Sequence, residues 1–79
     1  MTIEDLEFVV PRDIRCHVYK EKFCKKDENG KYCYMSDKDI FDDYFGGIKF
    51  SDLMRYPFVA RSTIVRMEPK HDKLLIVID

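Results

Sequence analysis

The sequence predicts a small α+β domain in two layers: a mainly antiparallel sheet of about four strands, in the order β-β-α-β-β, with one amphipathic helix on one face. Three observations predict it. Alternating apolar and polar residues flank an Asn29-Gly30 pair, a capped apolar arc runs into Gly46-Gly47, and Leu74-Leu75-Ile76-Val77-Ile78 is an unbroken apolar run. A chain of 79 residues makes one core at most, so residues 1–79 read as a single domain.

Residues 2–10 fit two patterns. Thr2 caps a short helix with Glu4 and Asp5 in its first turn, or Leu6, Phe8 and Val10 alternate as a strand; Pro11 ends either one. From Ile14 the alternation of Ile14, Cys16 and Val18 with Arg15, His17 and Tyr19 has the period of a strand, running on to Phe23 and Cys24. Asn29-Gly30 then marks a hairpin, because both residues tolerate positive φ, and Tyr32-Cys33-Tyr34-Met35 returns as the partner. With a two-residue turn, Cys24, Cys33 and Met35 share one face and Phe23, Tyr32 and Tyr34 the other. A three-residue loop regroups them, so the register of the 14–35 hairpin stays open.

Ser36-Asp37-Lys38-Asp39 resembles a helix start, and Ile40, Phe41, Tyr44 and Phe45 fall within an arc of about 140° at roughly 100° per residue. A helix is expected over 37–45, closed by Gly46-Gly47. Residues 48–50 read as a brief extended link and 51–56 as one helical turn before Pro57. Residues 58–68, rich in Val, Ile and Thr with interspersed charges, read as a half-exposed strand. Pro69-Lys70-His71-Asp72 is turn chemistry, and the run 74–78 suits a central strand covered on both faces.

Composition narrows the function classes. An apolar fraction of 46% with 14% aromatic residues argues against disorder. No stretch reaches the roughly 18 apolar residues of a membrane span, and the acidic start lacks the pattern of a signal peptide. Three cysteines at irregular spacing read as reduced thiols, which points to the cytoplasm. The net charge of −1 hides alternating blocks: −3 over residues 1–11, +3 over 12–31, −3 over 32–54 and +3 over 55–73. That balance disfavours a general nucleic-acid binder, and the blocks can pair with one another in the fold.

Neither metal nor cofactor is expected. Cys16, His17, Cys24, Cys33 and His71 are donors zinc accepts, but seven residues separate Cys16 from Cys24 and eight separate Cys24 from Cys33, unlike a zinc knuckle. Cys24 and Cys33 read instead as small buried cross-strand thiols. No base is placed beside a thiol, and Gly46-Gly47 follows a helix where a phosphate loop would precede one, so no catalytic residue is assigned.

Two surfaces stand out. On the expected helix, Asp37 and Asp39 suit the first turn, whereas Asp42 and Asp43 oppose the helix dipole near its end, and Asp39 and Asp43 form a like-charged i, i+4 pair. Stability alone would favour Lys or Arg there. Asp37, Asp39, Asp42 and Asp43 are therefore candidates for docking a larger protein or complex with a basic surface, with nearby Tyr or Phe as anchors. The second surface is the hairpin, where Lys22, Lys25, Lys26 and Lys31 lie among Tyr32 and Tyr34, a composition that suits single-stranded nucleic acid. The leading expectation is a non-enzymatic module that binds stoichiometrically, such as a small inhibitor of a nucleic-acid-binding complex. Phage and mobile-element proteins, anti-CRISPR proteins among them, often take this form. The alternatives are the single-strand binder and a small structural subunit of a larger assembly.

Overall fold

A computed structural model describes residues 1–79. The strands are Arg15–Lys20 (β1), Lys25–Lys26 (β2), Tyr32–Cys33 (β3), Ile48–Lys49 (β4), Ile64–Lys70 (β5) and Lys73–Ile78 (β6). Two one-turn helices, Phe50–Leu53 (α1) and Pro57–Ala60 (α2), lie between β4 and β5, and 3-10 turns occupy Ile3–Leu6, Glu21–Phe23 and Ser36–Lys38. The architecture is α+β, a four-stranded sheet under a layer of short helices, with β2 and β3 forming a separate hairpin.

The strand order is β4-β1-β6-β5. The outer pairs are antiparallel, but the central pair β1–β6 is parallel, so the sheet is mixed. The apolar run behaves as its composition requires: β6 lies between β1 and β5, and Leu74, Leu75, Ile76, Val77 and Ile78 are all buried. On one face Cys16, Val18, Ile48, Leu74, Ile76 and Ile78 pack with Ile3, Leu6, Phe41, Phe50 and Leu53 as the core. On the other, the register aligns His17 with Leu75 and Tyr19 with Val77. Tyr34 crosses that second face, its ring 5.3 Å from the Tyr19 ring and its hydroxyl donating to Glu68 at 2.9 Å. No helix is long and apolar enough to cross a membrane.

Several expectations are corrected. The helix over 37–45 does not form: one 3-10 turn, Ser36–Lys38, gives way to extended backbone at Asp39 (φ −66°, ψ 125°) and then to turns. The sheet edge outcompetes the helix, because Ile40 N–H donates to the Val18 carbonyl at 2.7 Å and the Asp39 carboxylate takes the Phe41 N–H at 3.0 Å. A free helix that short is marginal in any case. Gly46 and Gly47 still turn the chain at positive φ, 77° and 101°.

The strand from Ile14 stops at Lys20, and a 3-10 turn separates it from β2. The hairpin pairs Lys25 with Cys33 and Lys26 with Tyr32, one residue out of step with a two-residue turn. Asp27 causes the slip. Its Oδ1 accepts the N–H groups of Asn29 and Lys31 at 2.8 and 2.9 Å, making a three-residue loop with Gly30 at φ 80°. The start of the chain is a turn, Ile3–Leu6, in which Thr2 N–H donates to the Asp5 carboxylate. Pro57 opens α2 as its first residue, so the strand expected from 58 begins at Ile64. The last turn tightens to His71-Asp72, with His71 at φ 51°, and leaves Pro69 inside edge strand β5, where a missing N–H is tolerated.

Candidate functional site

Strand β1 anchors the segment that carries the acidic residues. Arg15, His17 and Val18 grip both ends of residues 39–47. At the near end, Asp39 Oδ1 accepts Val18 N–H at 3.2 Å as well as Phe41 N–H, and its Oδ2 lies 2.7 Å from His17 Nδ1. At the far end, an Arg15 guanidinium N–H donates to the Gly47 carbonyl at 3.2 Å. A Cβ on Gly47 would stand 2.9 Å from the Cys16 carbonyl oxygen and 3.2 Å from His17 Nε2. Only glycine lets the loop close so tightly onto β1.

This geometry sorts the four candidate aspartates. Asp39 is only 7% exposed, and backbone amides and His17 occupy its carboxylate, so it positions the loop and offers nothing to a partner. Asp37, Asp42 and Asp43 are exposed, and no Lys or Arg of the chain pairs with them. Beside them Phe45, which the helical arc would bury, stands wholly in solvent. Tyr44 next to it is steadied by a 2.9 Å hydrogen bond between its hydroxyl and that of Tyr56. That bond raises the Tyr44 pKa, with smaller contributions from desolvation and from the Asp52 and Asp43 carboxylates.

Beside Phe45 the loop and the second face of the sheet line an open cup of about 250 Å³, whose lining includes Tyr19, Tyr34, Tyr44 and Phe45 with Asp39, Asp42 and His17. Burial, and secondarily the Asp39 carboxylate, pushes the Tyr19 phenol up to about 12. Burial and the bond to Glu68 do the same for Tyr34, also to about 12. Both rings are thus neutral phenols at physiological pH.

The His17–Asp39 pair has the orientation of a catalytic dyad, but no hydroxyl or thiol is hydrogen-bonded to His17 Nε2, and Gly47 packs against that nitrogen. The pair serves as a clasp. No three His, Cys, Asp or Glu side chains converge as a metal site would require. The three cysteines are free thiols: Cys16 is buried, Cys24 half-buried and Cys33 exposed, so Cys24 and Cys33 are not the buried cross-strand pair their spacing suggests. Burial pushes the Cys16 thiol up to about 12.

Lys22 in the turn before the hairpin, and Lys25, Lys26 and Lys31 on it, are exposed, as a nucleic-acid face requires. The rings among them are already engaged. Lys26 Nζ lies 4.9 Å from the Tyr32 ring centroid, the Tyr32 hydroxyl donates to Glu21 at 2.7 Å, and the Tyr34 ring meets that of Tyr19 at a tilt of 54°. Two further wholly exposed aromatics, Phe8 and Phe58, stand on the helical layer, away from the acidic loop's carboxylates in sequence.

Sequence reasoning missed His17 as the partner of Asp39 and the full exposure of Phe45. No local pattern links His17 to a residue 22 positions away. The Gly46-Gly47 pair was the available signal for Phe45, because two consecutive glycines mark a sharp turn directly after it, and both take positive φ. Compared with protein-family models, curated proteins and solved structures, the chain matches none.

Proposed function

We propose that this protein is a non-enzymatic binding module that docks on a larger protein through the loop 39–47. One observation carries the reading: Phe45 stands fully in solvent, two residues after the unpaired carboxylates of Asp42 and Asp43, on a loop clasped at both ends by β1. A chain selected only for stability would bury a phenylalanine or surround it with neutral groups. An exposed aromatic on a pinned loop suits an interface anchor, since little ordering is left to be lost on binding. Asp42 and Asp43 favour a basic partner surface and add electrostatic steering to the encounter. A stoichiometric inhibitor of a nucleic-acid-binding complex fits this chemistry, because such a complex presents cations. The free thiols suit the reducing conditions of the cytoplasm. The single-strand reading draws less support, because Tyr32 is engaged by Lys26 and Glu21 and is less free to stack on a base.

The test is affinity capture from the native host with the wild-type chain and with an Asp42→Asn, Asp43→Asn, Phe45→Ala variant. A protein recovered near one-to-one with the wild type and lost with the variant supports the proposal. Equal recovery with both, or recovery of nucleic acid in place of protein, rejects it.

A further inference from the structure

We infer that the cup beside Phe45 receives one cationic side chain of the partner, a lysine, methylated lysine or arginine. This deepens the docking proposal and rests on it. The cup is smaller than the roughly 300–1,000 Å³ of pockets that enclose a drug-sized ligand, and its size of about 250 Å³ suits a single side chain. Tyr19, Tyr34, Tyr44 and Phe45 are among its lining residues, and aromatic π-faces are negative and attract an organic cation within about 6 Å of the centroid.

Charge selects the same class of occupant. Asp39 and Asp42 both line the cup and no lysine or arginine does. Asp39 has its acceptors filled by Val18, Phe41 and His17, while exposed Asp42 is free to face an incoming ammonium or guanidinium. His17 turns Nδ1 to Asp39 and packs Nε2 against Gly47, so it is committed to the loop. Outside the cup, Lys70 Nζ sits 5.8 Å from the Tyr34 ring centroid, within the range of a cation–π contact. Rings pinned by the tilted Tyr19–Tyr34 contact and the Tyr44–Tyr56 bond are held in place before any ligand arrives.

The experiment follows the tyrosine ring resonances of the full chain, ring-labelled with ¹³C, during titration with three probes. These are acetyl-trimethyl-lysine methylamide, acetyl-arginine methylamide, and the carbon isostere of the first, with tert-butyl replacing trimethylammonium. The expected result is saturable shifts of Tyr19, Tyr34 and Tyr44 with both cations, and affinity for the neutral isostere lower by about tenfold. Asp42→Asn should weaken the cations and leave the isostere unchanged. Tyr44→Phe, which keeps the ring, should retain binding that Tyr44→Leu loses. Equal binding of cation and isostere, or unmoved tyrosines at tens of millimolar probe, overturns the inference. If the tyrosines stay unmoved while the captured partner is still lost on changing Asp42, Asp43 and Phe45, the cup assignment falls and the docking surface stands.

Discussion

Strand β6 and the loop 39–47 hold their places by opposite means. Along β6, five consecutive apolar side chains are buried, and the strand is hydrogen-bonded on both sides by β1 and β5. Its position follows from removing apolar surface from water, a force that is large and indifferent to detail. The loop buries Phe41 but exposes Asp42, Asp43 and Phe45, and a few polar contacts from β1 fix it. The comparison teaches that in this chain apolar area sets the scaffold, while one carboxylate and one glycine set the surface the scaffold presents.

The contrast can be broken most forcefully at β6. Ile76→Ala removes a wholly buried side chain at the centre of the core and should cost about 2–5 kcal/mol in urea denaturation. In a domain this small that is a large fraction of the total stability. A loss below about 1 kcal/mol would mean the core is centred elsewhere.

Asp39→Ala comes next. It strands the Val18 and Phe41 N–H groups and should cost about 2–3 kcal/mol, whereas Asp39→Asn keeps an oxygen for both and should cost clearly less. Hydrogen exchange at the Val18 and Phe41 amides should accelerate in the alanine variant beyond what the global loss explains. If the two variants are equally stable, backbone capping is not what holds the loop.

Gly47→Ala forces a Cβ into left-handed backbone against the Cys16 carbonyl and should cost about 1–2 kcal/mol by the same denaturation assay. Gly30→Ala serves as the control, since its Cβ would meet nothing within 4 Å and only the φ strain remains. The smallest effect belongs to the exposed groups. Asp42→Asn, Asp43→Asn and Phe45→Ala should each leave the denaturation midpoint within the equivalent of about 0.5 kcal/mol.

This division also explains what could be read in advance. The central place of β6 was legible because an apolar run without polar breaks is tolerated only where both faces are covered. The α+β class, the turn at Asn29-Gly30, the extended link expected at residues 48–50, of which Phe50 instead opens α1, and the helical turn before Pro57 were legible from local chemistry. The parallel pairing of β1 with β6 was not, since nothing in either strand names a partner so distant in the chain. The loop was misread for a related reason. Ser36 to Phe45 satisfies the local rules for a helix, but Asp39 spends its carboxylate on Val18 and His17, a long-range contact that local periodicity does not encode. The acidic surface was legible as composition, with Asp37, Asp42 and Asp43 outward and unpaired, while the inward turn of Asp39 and the exposure of Phe45 emerged only from the fold.

Phe8, Phe45 and Phe58 are about equally exposed, at 95%, 102% and 94%, so exposure alone does not choose among them as the anchor. The most direct test replaces each in turn with a photo-crosslinking phenylalanine analogue and irradiates the chain in its native host. The account predicts a discrete crosslinked protein from position 45 and none from positions 8 or 58. A crosslink from 8 or 58 with none from 45 would contradict it.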